Sequence, residues 1–217
     1  MNKQALYDFD GTITSKDTTI LLLVELLKLR PWRLPRLTWF LLRMILANSS
    51  EVNQRYKNKA IGYLIKDLSD SNLRGALQNF VNKVKPLYRQ SVMLSTRQAI
   101  RDGCKVIIVT ASPSFAISEC VSDLPVLVLG TEFEKEENIY TGQLKSKNCY
   151  GQEKVKRINE WAKSNNVTLN IQSAWSDHVS DFDMLNLSEN RYWIGGEELR
   201  KLIICKDPEA NFLDTEY

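Results

Sequence analysis

The sequence predicts an α/β fold: a parallel sheet with helices on both faces, interrupted after its first strand by an all-helical insertion. Three observations predict it. A short apolar run at residues 4–9 ends in acids and is broken by Gly11. From Asp17 to about Ser95 no strand pattern shows, and leucine-rich helical spacing dominates. Beyond that, β-branched runs alternate with amphipathic stretches, the pattern of strand–helix–strand units.

Residues 4–9 read as a buried strand. The block that follows is punctuated by Pro31, Pro35 and Pro86, which end helices. A helix is predicted over 94–102, closed by Gly103. Residues 105–109 (Lys-Val-Ile-Ile-Val) are typical of a strand covered on both faces. A helix over 114–122, a strand over 125–129 and a hairpin over 139–144 follow. The rest reads as an amphipathic helix over 152–165, a strand over 168–175, a short helix over 181–187 and a last strand over 191–194. On this reading residues 1–14 and 91–217 form the sheet domain, and 15–90 form an inserted helical cap.

The 217 residues suffice for such a core and insertion. A formal charge of +3 argues against a nucleic-acid partner. Cys104, Cys120, Cys149 and Cys205 form no C-x-x-C pair, so a zinc knuckle or redox motif has no support. Scattered thiols fit a reducing compartment. The N-terminus lacks the apolar length of a signal peptide, and no long uncharged apolar span exists. A cytoplasmic protein is the expectation.

Ligands of parallel sheets bind beyond the carboxyl ends of the strands. The residues there are Asp8 and Asp10, Thr110 and Ser112, and Ser176 and Asp177. Asp8 and Asp10, two apart on an extended chain, point the same way and repel unless a cation sits between them. Mg²⁺ favours such hard oxygen ligands. Asp8 can then attack phosphorus as a nucleophile, and Asp10 can protonate the leaving oxygen and later deprotonate water. Asp177 and Asp181, four apart, can both reach a metal held by Asp8. Thr110 and Ser112 can donate to phosphate oxygens. Lys154, opening a helix, can hold Asp8 and the transferring phosphoryl. Each signal has a plain counterpart: an acidic turn, a helix N-cap, a turn-forming threonine, a surface lysine. Lys145, Lys147 and Lys156 compete with Lys154 on spacing alone, while Asp183 is expected to face solvent.

Taken together, the segments resemble the phosphoserine-phosphatase-like branch of the haloacid dehalogenase superfamily, whose core is Rossmann-like. Asp8-Phe-Asp-Gly-Thr12 is similar to its first motif and Val109-Thr-Ala-Ser112 to its second. Asn148-Cys-Tyr-Gly-Gln-Glu-Lys154 is similar to the third and selects Lys154 over its neighbours. Ser176-Asp-His-Val-Ser-Asp-Phe-Asp-Met-Leu185 is similar to the fourth, with His178 in place of a serine and Asp183 in place of a proline. The resemblance implies a Mg²⁺-dependent phosphomonoesterase with Asp8 as nucleophile and Asp10 as acid/base. It implies a metal site drawn from Asp8, Asp10, Asp177 and Asp181, with Thr110, Ser112 and Lys154 binding the phosphoryl. The substrate is a phosphate ester, either a small metabolite or a phospholipid head group. The alternatives are a phospho-accepting regulatory module and a catalytically dead binding protein of the same fold.

Between Glu25 and Glu51 there is no acid, while Lys28, Arg30, Arg33, Arg36 and Arg43 alternate with Trp32, Trp39, Phe40 and leucines. Such a stretch suits the surface of a membrane, here through residues 28–43. It equally suits a cap that packs its leucines inward and turns its arginines to solvent or to an anionic substrate.

Overall fold

The computed structural model describes residues 3–213. The chain begins with β1 (Gln4–Tyr7), then four helices: α1 (Thr19–Leu29), α2 (Leu34–Ile45), α3 (Ser50–Ile65) and α4 (Asp70–Val84). Next come α5 (Gln90–Arg101), β2 (Lys105–Pro113), α6 (Ser114–Cys120), β3 (Leu127–Thr131), β4 (Phe133–Glu136) and β5 (Ile139–Leu144). The last third is α7 (Gln152–Ser164), β6 (Ile171–Ser176), α8 (Phe182–Leu185), β7 (Ser188–Ile194), α9 (Glu197–Ile204) and β8 (Asn211–Leu213). Six strands form one sheet in the order β3-β2-β1-β6-β7-β8, and every pairing in it is parallel.

Alternation along the strands divides the core in two. Ala5, Tyr7, Val106 and Ile108 face one side, and Leu6, Ile107 and Val109 the other. The first face is continuous with the interior of the helical block, including Leu22, Leu26, Leu64 and Phe80. The second is covered by α7 and α8 through Ile158, Met184 and Leu185. Tyr7, Trp175 and Tyr192 stack across neighbouring strands, with ring centroids 5.7 and 4.1 Å apart. This aromatic ladder lies directly beneath the strand ends that carry Asp8 and Ser176.

The helical block is built by local signals. Ser49 caps α3 by accepting from the Val52 N–H, and Ser69 with Asn72 forms a capping box on α4. Glu25, buried on α1, accepts from Lys28 at 2.7 Å and from Lys83 of α4 at 2.5 Å.

Several expectations need correction. Residues 139–144 are one strand, β5, not a whole hairpin. Its partner is β4, and the turn between them holds Glu137 and Asn138 at φ +47° and +67°. The Phe-Glu-Lys-Glu sequence of β4 reads as a charged loop because only Phe133 is buried. The helix expected over 94–102 begins at Gln90, and the strand expected from 168 begins at Ile171. Neither α9 nor β8 was foreseen.

The hairpin braces the helical block. The Tyr140 N–H donates to Leu68 O at 2.9 Å, and the Asp67 N–H donates to Tyr140 O at 2.8 Å. Gly62 of α3 lies so close to β5 that a Cβ would stand 2.2 Å from the Gly142 carbonyl oxygen. Backbone cannot move aside as a side-chain tip can. Gly62→Ala is therefore expected to cost about 1–3 kcal/mol by overpacking, lowering Tm by roughly 3–10 °C for a chain of this size. Thermal melting followed by circular dichroism checks this.

Candidate active site

β1, β2 and β6 run in the same direction, so the residues just past them meet at one end of the sheet. The Asp8 N–H donates to Trp175 O at 2.9 Å, extending the ladder one residue beyond β1 and fixing the Asp8 backbone. The chain then leaves the sheet in a wide turn, closed by the Thr14 N–H onto Phe9 O at 3.0 Å. Gly11 in that turn has φ +80°, and a Cβ there would stand 1.9 Å from Asp177 Oδ2. Both the conformation and the clearance require glycine. The Thr12 hydroxyl donates to Asp177 Oδ1 at 3.1 Å, which settles that carboxylate over the turn.

Lys154, in the first turn of α7, is only 2% exposed. Its Nζ donates to Asp8 Oδ1 at 2.8 Å and to Asp181 Oδ2 at 2.6 Å. The Ser176 hydroxyl also donates to Asp181 Oδ2, at 2.7 Å. Asp181 Oδ1 is buried without a hydrogen-bond partner. Lys145, Lys147 and Lys156 are all exposed, so the helix start buries one lysine of the four candidates. Asp183 is exposed, as expected.

Asp10 is held apart from this cluster. Its Oδ1 accepts from the Thr18 N–H at 2.7 Å and the Thr18 hydroxyl at 2.6 Å, and its Oδ2 accepts from the Ser112 hydroxyl. Thr110, 1% exposed, accepts from the Ser112 N–H at 3.1 Å through Oγ1 and keeps its own hydroxyl hydrogen free to donate.

The electrostatics divide the same way. Burial pushes the Asp8 carboxyl well above its usual range, opposed by Lys154 and reinforced by Asp181 and Asp177. Burial also raises Asp10, reinforced by Asp17 and opposed by hydrogen bonds from Ser112 and Thr18. Asp177 is raised by burial against the Thr12 hydrogen bond. For Lys154, burial favours the neutral amine, but the Asp181 and Asp8 carboxylates outweigh it and its pKa rises.

Asp8, Asp10, Thr110, Ser112, Lys154, Asp177 and Asp181 all line one cleft of about 560 Å³. Its floor is Asp8, Asp10, Thr110, Ser112, Lys154 and Asp177. Its roof is the polar face of α3, with Asn53, Lys57 and Asn58, and the loop at 47–50. Lys57 pairs with Asp17 across the mouth. Asn58 is buried and its Nδ2 has no partner. Sequence reasoning missed Asp17, Lys57 and Asn58, because nothing in their spacing marks which face of α3 turns to the core. His178 sits at the rim, 6.3 Å from the Tyr150 ring, and its Nδ1 accepts from the Ser180 N–H at 3.1 Å. It caps the turn leading into α8. None of Lys28, Arg30, Arg33, Arg36 and Arg43 lines the cleft. Arg30 and Arg33 instead donate to backbone carbonyls at the end of α3. Of the alternatives for this stretch, cations turned into the cleft is not the arrangement the fold adopts.

The donor chemistry fits a divalent cation. Asp8, Asp177 and Asp181 bring three carboxylates against the single charge of Lys154, leaving two negative charges in a buried setting. Among the described residues no three acidic, histidine or cysteine side chains converge as a ready-made cage. The four expected ligands therefore do not act alike. Asp10 is engaged by Thr18 and Ser112, and Asp181 by Lys154 and Ser176. Asp8 and Asp177 each accept one side-chain hydrogen bond, from Lys154 and Thr12, and keep a second oxygen toward the cleft. Mg²⁺ is commonly held by one or two carboxylates, with water and phosphate oxygens completing its shell.

Known proteins of the same architecture bear on this geometry. A crystal structure of a protein of unknown function from Bordetella pertussis superposes with a TM-score of 0.76 at 18% identity, over 100% of both chains. A haloacid dehalogenase family hydrolase from Salmonella enterica serovar Typhi gives 0.66 at 13% identity, over 98% of this chain and 67% of that one. A phospho-aspartyl intermediate analogue of phosphoserine phosphatase gives 0.62 at 14% identity, over 99% and 94%. No curated protein matches the chain by sequence. The family of haloacid dehalogenase-like hydrolases matches residues 5–186, which takes in most of the first strand, the helical block, the three strand ends and Lys154. The chain belongs to the family of haloacid dehalogenase-like hydrolases.

Proposed function

We propose that the chain is a Mg²⁺-dependent phosphomonoesterase that works through a phospho-aspartate on Asp8. The observation that carries this reading is the buried Lys154, which spans Asp8 and Asp181 at the end of the sheet. A lysine there favours the ionised, nucleophilic form of Asp8 against its burial and offsets charge on a phosphoryl group brought up to it. One solved neighbour of the same fold is a phospho-aspartyl intermediate analogue of phosphoserine phosphatase, in line with the same chemistry.

In the proposed sequence an Asp8 oxygen attacks phosphorus and the phosphorus–ester oxygen bond breaks. Asp10, positioned by Thr18 and Ser112, gives its proton to the departing oxygen. Water then attacks phosphorus, Asp10 takes the proton back, and the bond between phosphorus and Asp8 breaks to release inorganic phosphate. Thr110 donates to a non-bridging oxygen, while the Ser112 hydroxyl stays on Asp10. Asp8 and Asp177 would hold Mg²⁺, which when bound supplies positive charge to the phosphoryl oxygens. We propose residues 15–90 as the cap, with Lys57 and the free Asn58 amide facing the leaving group. A cleft of this volume suits a small organic phosphate whose ester side carries hydrogen-bond acceptors.

Turnover of p-nitrophenyl phosphate under a Mg²⁺ titration tests the reading. The wild type is expected to need Mg²⁺ and to stop when EDTA is added. Asp177→Ala is expected to raise the half-saturating Mg²⁺ concentration at least tenfold, since a charged oxygen ligand is lost. Unchanged Mg²⁺ dependence in that variant would remove Asp177 from the metal site. Turnover without any divalent cation would contradict the proposal. A regulatory phospho-acceptor would give a single phosphorylation and no steady release.

A further inference from the structure

We infer that the outward face of α2 docks on an anionic lipid surface. Leu37, Phe40 and Met44 bury one side of this helix. At about 100° per residue, Leu34, Trp39, Leu42, Ile45 and Leu46 fall on the opposite arc, roughly 140° wide. With Trp32 just before the helix, these side chains are between 45% and 80% exposed. They make up six of the thirteen strongly exposed large apolar side chains among the described residues. A helix apolar on both sides is normally covered on both. Here one side is left to whatever the molecule meets.

Charge selects the occupant. Arg36 and Arg43 border the apolar arc, both exposed, and neither has an acidic partner among the described residues. Arg43 instead lies over the Trp39 ring, 5.3 Å from its centroid, and Arg36 over Tyr63 at 5.2 Å. No acid occurs between Glu25 and Glu51 to offset them. A second copy of this face would set arginine against arginine, whereas an anionic bilayer meets the arginines with phosphate and the leucines with acyl chain. Tryptophans at the edge suit the headgroup layer. No helix of the described residues is long and apolar enough to cross a membrane, so α2 would lie in the plane of the surface. Its C-terminal end runs directly into residues 47–50, which line the cleft, so docking would set the cleft edge beside the lipid headgroups.

Sedimentation with vesicles tests this, using phosphatidylcholine alone and phosphatidylcholine mixed with phosphatidylglycerol, each at low and high salt. The protein is expected to pellet with the mixed vesicles at low salt and to be released as salt screens the attraction. Leu42→Ser with Ile45→Ser should lower partitioning at least tenfold on both compositions. Arg36→Ser with Arg43→Ser should lower it about thirtyfold on the anionic vesicles alone, at about one residue's worth of surface attraction per arginine. Both double variants should keep wild-type p-nitrophenyl phosphate turnover, since neither touches the cleft. Wild-type protein that stays in the supernatant with both vesicle types overturns the inference. So does vesicle binding that neither double variant weakens. A dimer lost in Leu42→Ser with Ile45→Ser, without vesicle binding, also overturns it and assigns the face to a second copy.

Discussion

Asp8→Asn is expected to lower turnover of p-nitrophenyl phosphate by roughly 10⁴-fold or more, because an amide oxygen does not displace an alkoxide from phosphorus. The same change should not weaken the fold. Asp8 is buried beside Asp177 and Asp181, and burial with those two anions raises its pKa. A neutral side chain of the same shape relieves that repulsion, while Lys154 keeps Asp181 as a partner at 2.6 Å. Without added metal, the variant should therefore melt at or above the wild-type temperature. Activity and stability move in opposite directions here, which separates a lost nucleophile from a damaged structure. Steady-state rates and calorimetry on the same preparation read both. Residual turnover above a few per cent would remove Asp8 from the role of nucleophile.

Lys154→Met is expected to cost both. Removing one member of a buried ion pair strands the other, at about 3–5 kcal/mol. For 217 residues that is a fall in Tm of roughly 6–20 °C. Asp8 and Asp181 are the stranded groups, and a Met side chain fills similar volume without neutralising either. The pH dependence has a definite sign. Lys154 has a raised folded-state pKa, so its contribution is fully present below the ordinary lysine value and is lost as pH rises through the folded value. In the variant, Asp8 loses the cation that pulled its pKa down. A carboxyl with a raised folded-state pKa favours the folded state below its unfolded value, and that advantage is lost as pH rises through the folded value. The deficit relative to wild type should therefore be smaller near pH 4 to 5 than at pH 8. Adding Asp181→Asn to Lys154→Met should recover part of the loss by removing one uncompensated charge. A melting temperature within about 2 °C of wild type at pH 8 would show that Lys154 is not the neutralising partner.

Much of this arrangement is legible in the sequence because it lies on strand ends. A parallel sheet brings the ends of its strands together whatever lies between them. Asp8, Thr110, Ser112 and Asp177, more than 160 residues apart at the extremes, are therefore neighbours by topology. Lys154 was harder. Four lysines crowd the region from 145 to 156, and only resemblance to a family motif singled it out before the start of α7 showed one buried and three exposed.

The roof of the cleft was not legible. The pairing of Asp17 with Lys57, and the free amide of Asn58, depend on how α3 lies over the sheet. That register is set by close packing of Gly62 against Gly142, a contact 80 residues apart with no periodic signature. The direction of the arginines of the helical block was not legible for a related reason. Composition counts charge but not direction, and Arg30 and Arg33 are spent on the carbonyls of Tyr63, Lys66 and Asp67. The strand β4 was hidden because three of its four residues are exposed and charged or polar.

The central claim is that phosphorus becomes bonded to Asp8. Enzyme turning over p-nitrophenyl phosphate with Mg²⁺, quenched within one turnover and treated with borohydride, tests it most directly. Borohydride reduces an acyl phosphate to an alcohol, so a phosphorylated Asp8 would be read as homoserine in the N-terminal peptide by mass spectrometry. Asp10→Asn, in which the water step should be slowed about 10²–10⁴-fold, gives the intermediate time to accumulate. The account predicts homoserine at position 8 in that variant, none at Asp10, Asp177 or Asp181, and none without substrate. An unreduced Asp8 in an enzyme that still releases phosphate, or reduction at another carboxylate, would contradict it.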